Sequence, residues 1–407
     1  MGGTELITRA GAVRALAERW LRLLSDGDGD GDGGGGGGAE DFVCSPAGLW
    51  LALGAVASGA RDGAAEELRA VLGVAGAEAA DAVTAVGREL AGTDALDMAT
   101  GVWSGIPLLP SWTRALPDVG SGPLGRDAQA RLDAWVREAT ACRIDRLPLS
   151  LDGSEALVLV NALALKASWQ ARFAPALTRD EPFTDAAGAT VAVPTMHQRL
   201  PARWVWTVSA TGVGAAGVGA VTVVELPCEG ERGALVRFVL GPKGAGSGAG
   251  VGAAEVLAAA WAPPTRREHL AAEAVDLALP RFSLRTKTDV HARLGALGVG
   301  LATRPEADFT GLSAERPLWI SAAAQEALVE VAEEGVEAAA VTAVAMTRGA
   351  APPRHRVVER IAFDRPFGVV VLDASGEVPL LVGWRSSAPG HSTGPAYSTT
   401  RASSSPS

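Results

Sequence analysis

The sequence predicts an α+β fold, and three stretches carry that prediction. Val13, Leu16, Trp20, Leu23 and Leu24 recur at helical spacing, so residues 5–25 read as an amphipathic helix. Leu157-Val158-Leu159-Val160-Asn161-Ala162-Leu163-Ala164-Leu165 is a nearly unbroken apolar run, the pattern of a strand buried on both faces. Near the C-terminus, Gly368-Val369-Val370-Val371-Leu372 and residues 378–384 are apolar runs about a Ser-Gly turn, which read as a hairpin. With 407 residues, 48% of them hydrophobic, the chain can bury a large core, as one mixed domain or two smaller ones.

The other elements follow in order. Residues 26–38 repeat Gly and Asp, which bury no apolar area, so 26–41 is expected to be a flexible insert. Its alternating Asp resemble a calcium loop, but no Glu closes it at the required position. Phe42-Val43-Cys44 is a short strand running into a buried helix, with Ser45 as its cap and Pro46 suited to the first helical position. Residues 59–63 break that helix, and Ala64-Ala65-Glu66-Glu67-Leu68 starts the next. Residues 132–140 are helical by period, and the Gly-rich 241–254 reads as loop. Residues 275–282 alternate like one strand, and 388–407 is a polar tail expected to be disordered.

Composition excludes several classes. Net charge is −10, and the three lysines (Lys166, Lys243, Lys287) and the arginines form no stripe, so nucleic acid is not an expected partner. No apolar run is long enough to span a bilayer, and no membrane partner is expected. Residues 1–24 lack the basic start and uninterrupted apolar core of a signal peptide, and Leu6 stands where myristoylation expects Ser or Thr. The expected location is cytoplasmic, with leaderless export left open, and the expected state is a monomer. Cys44, Cys142 and Cys228 are odd in number and scattered, against both a disulfide framework and a metal site. Gly390-His391-Ser392-Thr393-Gly394 fits a hydrolase pattern but lies in a polar tail rather than between strand and helix. Gly212-Val213-Gly214-Ala215-Ala216-Gly217 fits a dinucleotide fingerprint but precedes a strand-like segment. The five histidines show no metal or triad spacing, so neither an enzyme nor a cofactor is expected.

One stretch resists a single assignment. Glu333, Glu334 and Glu337 open it, a charge-free run of small and β-branched residues follows from 338 to 347, and Arg348-Gly349-Ala350 leads to Pro352-Pro353. Ala338, Ala339 and Ala340 favour a helix, whereas Val341, Thr342 and Val344 favour a strand. No Pro bars residues 333–351 from a central strand position, yet Arg348-Gly349 reads as an exposed, protease-accessible loop. A segment able to be either is a switch.

These residues carry a resemblance. Glu333-Glu334-Gly335-Val336-Glu337-Ala338-Ala339-Ala340 resembles the hinge of the reactive-centre loop of the serpins, serine-protease inhibitors that trap their target by loop insertion. The Ser45-Pro46 block is similar to the family segment that opens the central helix under the main sheet, and Gly59-Ala60 and Glu67-Leu68 also match. Residues 132–144 resemble the helix ending in a Thr-x-Gly-Lys-Ile turn, but Thr140-Ala141-Cys142-Arg143-Ile144 lacks the glycine. The run 157–169 followed by Phe173 is the most specific match outside the loop. Further blocks follow in family order: Val193-Pro194-Thr195-Met196-His197-Gln198; Val223-Val224-Glu225-Leu226-Pro227-Cys228, with Cys228 for the usual Tyr; Leu279-Pro280-Arg281-Phe282, with Arg281 for Lys; Ala307-Asp308-Phe309-Thr310-Gly311; and Leu318-Trp319-Ile320-Ser321.

The resemblance covers residues 5–387. It implies a serpin fold, about nine helices around three β-sheets with an exposed reactive-centre loop, as a single domain over 1–387 with the loop at 333–353. The resemblance is to a bacterial-type member, and inhibition is expected because Gly335, Ala338, Ala339 and Ala340 are the small, uncharged residues that a hinge needs to enter the sheet quickly; the Arg, Ala and Gly bias reflects a GC-rich genome rather than function. The implied partner is a target serine protease. Family loop length puts the reactive bond after Gly349, before Ala350; a loop one residue shorter puts it after Arg348, which is slightly favoured as the strong specificity handle. The target is trypsin-like in the second case and elastase- or subtilisin-like in the first. Ser45, Pro46, Asn161, Lys166, Trp169 and Gln325 form the implied sheet-opening region, with Asn161 under the opening and Trp169 at its top. Val336 replaces the usual Thr or Ser of the hinge. Gln325 stands where serpins usually carry a His paired with Asn161; an amide still hydrogen-bonds but does not titrate, so pH-dependent opening through that position is expected to be absent. The competing expectation is a non-inhibitory serpin acting as a binding or chaperone-like protein.

Overall fold

Where apolar side chains alternate or run on without a break, the chain builds strands; where they recur every third or fourth residue, it builds helices. The computed structural model describes residues 2–25, 40–94, 96–147, 149–209, 219–242, 252–315, 317–336 and 357–390. Eight α-helices lie in these residues: α1 Gly2–Ser25, α2 Pro46–Ala57, α3 Asp62–Leu72, α4 Ala77–Ala91, α5 Pro110–Ala115, α6 Ala128–Ala139, α7 Ala253–Ala258 and α8 His291–Leu297. The strands are β1 Phe42–Cys44, β2 Leu96–Ser104, β3 Gly120–Pro123, β4 Leu157–Leu165, β5 Ala167–Ser168, β6 Arg179–Thr184, β7 Thr190–Pro201, β8 Val205–Ser209 and β9 Ala220–Pro227. They continue as β10 Leu235–Leu240, β11 Glu268–His269, β12 Ala274–Pro280, β13 Phe282–Asp289, β14 Ile320–Val331, β15 Gly335–Val336, β16 Val358–Ala362, β17 Phe367–Leu372 and β18 Pro379–Arg385.

Three sheets result. One runs β1-β18-β17-β10-β9-β8-β11, a second β16-β12-β7-β6, and the third β3-β2-β4-β14-β15-β5 with β13 beside β14. Strand β4 is buried at every position because the third sheet has cover on both faces. Leu157, Leu159, Leu163 and Leu165 enter the main core, and Val158, Val160 and Ala162 enter a smaller one with Leu132 and Val136 of α6. Helix α2 runs through the main core with all twelve residues buried. Ser45 caps it, its hydroxyl accepting the Gly48 amide at 3.0 Å, and Pro46 occupies the first turn. The stretch Asp62–Ala91, which includes an 18-residue window of mean hydropathy 1.4, folds as two helices, α3 and α4, broken at Gly73 in the left-handed region (φ 79°).

Some expected boundaries move. Residues 275–282 form parts of two strands in different sheets, not one. Pro280 has no amide to continue the ladder, and Arg281 instead gives its amide to the Pro194 carbonyl at 2.9 Å. Helix α3 begins at Asp62 rather than Ala64, and α7 begins at Ala253, inside the segment expected to be loop. The tail expected from residue 388 starts packed: Pro389 is buried, and the Arg385 guanidinium donates to the Ala388 carbonyl at 2.8 Å. Arg385 also pairs with Asp41 at 2.9 Å, and the Asp41 carboxylate accepts the Ser386 amide at 2.6 Å and the Ser387 amide at 2.9 Å. This clasp joins the start of β1 to the end of β18. The Gly/Asp segment 26–38 and both accidental-motif residues Gly212 and Ser392 lie outside the described residues.

After α6 the glycine-less turn keeps the left-handed geometry that glycine favours: φ is 48° at Ala141 and 63° at Cys142. Side chains there cost about 1–2 kcal/mol per residue. Replacing Cys142, which is exposed and free, by glycine removes that strain at one position. Cys142→Gly is expected to stabilise the chain by about 0.5–1 kcal/mol after glycine's own entropy cost. A urea midpoint that falls in this variant contradicts the strain.

Candidate functional site: the parting of the central sheet

Strands β4 and β14 lie parallel and bonded from Leu157 opposite Ile320 to Ala164 opposite Leu328. Above that point they separate. The chain leaves β14, reverses through residues 332–334, and returns as β15 inside the gap. Val336 then pairs with Val331 of β14 on one side and with Ala167 of β5 on the other. Two hinge residues, Gly335 and Val336, are thus already strand in the uncut chain, although both fall in the segment 333–353 expected to be an exposed loop. The physical reason is local. Val336 is fully buried, so the apolar side chain that replaces Thr or Ser favours the inserted position. Gly335 fits because it has no side chain: a Cβ there would stand 2.0 Å from the Ala167 carbonyl oxygen.

Trp169 and Phe173 hold the reversal. The Trp169 indole N–H donates to the Ala332 carbonyl at 2.8 Å, its amide to the Glu334 carbonyl at 2.9 Å, and the Phe173 amide to the Glu333 carbonyl at 3.0 Å. Three successive carbonyls are satisfied by one short segment. The Glu333 side chain turns inward, 8% exposed, and forms a close ion pair with the Arg281 guanidinium while accepting the Thr178 hydroxyl at 2.7 Å. Burial pushes the Glu333 carboxyl up, but the hydrogen bonds from Arg281 and Thr178 outweigh it and hold the group below its ordinary value of 4.5. Glu334 is half-buried, and Lys166 is exposed at the break between β4 and β5.

Lower down, the sheet is tied to α2. The Ser45 amide donates to Gln325 Oε1 at 2.7 Å, and Gln325 Nε2 donates to the Ser45 carbonyl at 2.8 Å. Gln325 Nε2 reaches Asn161 Oδ1 only at 3.4 Å. The amide expected to serve Asn161 therefore serves chiefly the Ser45 backbone. Asn161 finds its donors' partners on β2, giving Nδ2 to the Ala99 carbonyl at 3.2 Å and to Thr100 Oγ1 at 3.1 Å. Its side chain lies against the Gly48 backbone, where a Cβ would come within 1.8 Å of Oδ1.

The sequence-predicted residues Ser45, Pro46, Asn161, Trp169, Gln325, Glu333, Glu334, Gly335 and Val336 line this one seam. Glu337, Ala338, Ala339, Ala340, Arg348, Gly349 and Ala350 lie outside the described residues. Sequence reasoning missed Thr178 and Thr100, named Phe173 only as part of a matching run, and noted Arg281 only as a substitution for Lys. Cys228 forms a β-bridge with Trp169, and burial, then the neighbouring Glu229, pushes its thiol up to about 12. A thiol so protonated is no nucleophile at neutral pH. Among the described residues no group of three His, Cys, Asp or Glu side chains could hold a metal ion. The seam is bonded up to Leu328 and already holds one short strand, β15, above that point.

Known proteins share this architecture. Residues 37–387 match the family described as Serpin (serine protease inhibitor). Antitrypsin from Bombyx mori is 32% identical over 226 residues, 54% of each chain, and leukocyte elastase inhibitor from Sus scrofa is 33% identical over 226 residues, 53% of this chain and 56% of that one. The matched part spans little more than half the length of these relatives. Among solved structures, Serpin48 from the insect Tenebrio molitor superposes with a TM-score of 0.73 at 24% identity, covering 95% of this chain and 99% of that one. Human thyroxine-binding globulin gives 0.74 at 23% identity, covering 93% and 98%. At these identities the likeness speaks for the fold alone.

The clamp on Glu333 has a pH signature. A folded-state value below the ordinary one gives stability that is present above about pH 4.5 and lost as pH falls through the lower folded value. Glu333→Gln is expected to lower the melting temperature at pH 7 and to flatten its decline below pH 4.5. Parallel acid profiles of parent and variant would disprove the assignment.

Proposed function

The chain belongs to the serpin family, and we propose that it inhibits a serine endopeptidase as a suicide substrate. The observation that carries this reading is the wedge of β15 between β14 and β5, a started strand with its seam below still closed. The target's serine attacks the bait bond and forms an acyl-enzyme, as with any substrate. Cleavage frees the N-terminal side of the loop, which lengthens β15 downward between β4 and β14 and carries the protease with it. The acyl-enzyme is distorted before water releases it.

Val336 is buried before cleavage, so its burial belongs to the uncut state. The further drive comes from Val341, Val344 and Met346, each contributing about 1.5–3 kcal/mol at most, and from new ladder hydrogen bonds of about 0.5–1.5 kcal/mol each. The bait bond in this proposal is Arg348-Gly349, read by a trypsin-like enzyme; cleavage between Gly349 and Ala350 assigns an elastase- or subtilisin-like one. We place the protein in the cytoplasm as a monomer. The second reading is a non-inhibitory serpin acting as a binding or chaperone-like protein; thyroxine-binding globulin, which has the same fold, is a binding protein by name.

Nicking the loop is expected to raise the melting temperature far above that of the intact chain, which an unexpanded sheet would not do. Val336→Arg places an unpaired cation in a fully buried site and is expected to convert the inhibitor into a cleaved substrate. A denaturation-resistant complex surviving in that variant counts against insertion. Mass spectrometry of the C-terminal fragment released by trypsin and by subtilisin assigns the bond to Arg348 or Gly349.

A further inference from the structure

The second sheet, β16-β12-β7-β6, carries a charged group that the seam does not use. Glu181 of β6 is at the centre of that group, its side chain 17% exposed. Glu181 Oε1 accepts two hydrogen bonds from the Arg179 guanidinium, at 3.1 Å and 2.9 Å, and Oε2 accepts one from Arg360 at 2.8 Å. Arg360 stands on β16, so this bond ties the two outermost strands of the sheet to each other. His197 of β7 puts Nε2 3.3 Å from Glu181 Oε1, and that nitrogen is buried and makes no hydrogen bond among the described residues. Arg199 of β7 and Asp276 of β12 complete the group and satisfy each other at 2.7 Å and 3.0 Å.

Strand β16 has little else to secure it. Among the described residues it is an edge strand, paired only with β12, in parallel, from Ala274 opposite Val358 to Ala278 opposite Ala362. Parallel pairing is slightly less stable per residue than antiparallel pairing. Ile361 alone of its five residues is buried, and Val357 just before it is 54% exposed. We propose that the Glu181 group is an acid-sensitive latch: a proton on His197 loosens Arg360 from Glu181 and frees the edge strand β16. Because β16 follows the segment 333–353, release slackens the anchor behind the bait bond. That consequence rests on the inhibitory reading above; the latch does not.

The direction follows from the charges. With the ring neutral, the Glu181 carboxylate serves the two arginines. With the ring charged, three cations crowd one carboxylate, and the Arg199–Asp276 pair adds no net charge. Arg179 holds by two bonds from Glu181's own strand, Arg360 by one bond across the sheet, so Arg360 is the one displaced. Burial holds the His197 ring below its ordinary value of 6.5; Glu181 opposes that, and Arg179 and Arg360 add to it. The latched arrangement disfavours the proton, and by linkage the proton disfavours the latched arrangement. The latch is therefore fully closed above about pH 6.5 and is lost as pH falls through the lower folded value.

Amide hydrogen exchange on the full chain tests the latch, at about pH 7.5 and about pH 5, with rates corrected for the intrinsic pH dependence of exchange. Protection of residues 358–362 is expected to fall about two- to fivefold at the lower pH, the scale of a part-exposed ion pair, while residues 196–200 of β7 keep theirs. His197→Gln, whose amide does not titrate, is expected to remove that difference. Arg360→Gln, a change at an exposed side chain, is expected to give the lower protection at both pH values. Equal protection of the parent at the two pH values, or an acid fall that survives in either variant, overturns the latch. If His197→Gln does not fold, Arg360→Gln decides alone. No protease enters the measurement, so its outcome holds whether or not the chain inhibits one.

Discussion

The seam between β4 and β14 governs this molecule. Two parallel strands are hydrogen-bonded below Leu328 and parted above it, and β15 sits where they part. Parallel pairing between strands far apart in sequence closes slowly and is slightly weaker per residue than antiparallel pairing. A seam of this kind is a natural place for a strand to be added later. Its neighbours on either side are antiparallel, β2 on β4 and β13 on β14, and the sheet's other parallel pair, β2 with β3, lies at its edge.

Around the seam, polar groups are used as ties between layers. Gln325 joins β14 to the start of α2, and Asn161 joins β4 to β2 while resting on Gly48. Trp169 and the Arg281–Glu333–Thr178 group hold the reversal at the top. Each tie is buried or half-buried, where losing one partner costs the desolvation of the other. These specific bonds act together with the apolar core that buries β4 and Val336.

Much of this was legible in the chain. The helical period of residues 5–25, the apolar run at 157–165 and the cap Ser45-Pro46 each express local stereochemistry, and each folds as read. The strand read at 275–282 did not survive intact, because alternation reports which way side chains point and not which sheet receives them. Arg281 sits at that break and faces Glu333, fifty-two residues away, a distance at which spacing carries no information. The role of Gln325 was half visible: its amide chemistry was evident, but its principal partner is the Ser45 backbone, which no side-chain pattern announces.

By itself the sequence determined the periodicities, the caps, the breaks and the family, since these depend on neighbours a few residues apart or on blocks recurring in order. Only the tertiary structure decided how far the hinge has already entered the sheet, which cation clamps Glu333, and what Gln325 binds. Those outcomes depend on residues brought together from distant parts of the chain, and on volumes that must fit to within a fraction of an ångström: a missing Cβ at Gly335 admits the strand, and one missing at Gly48 admits the Asn161 side chain.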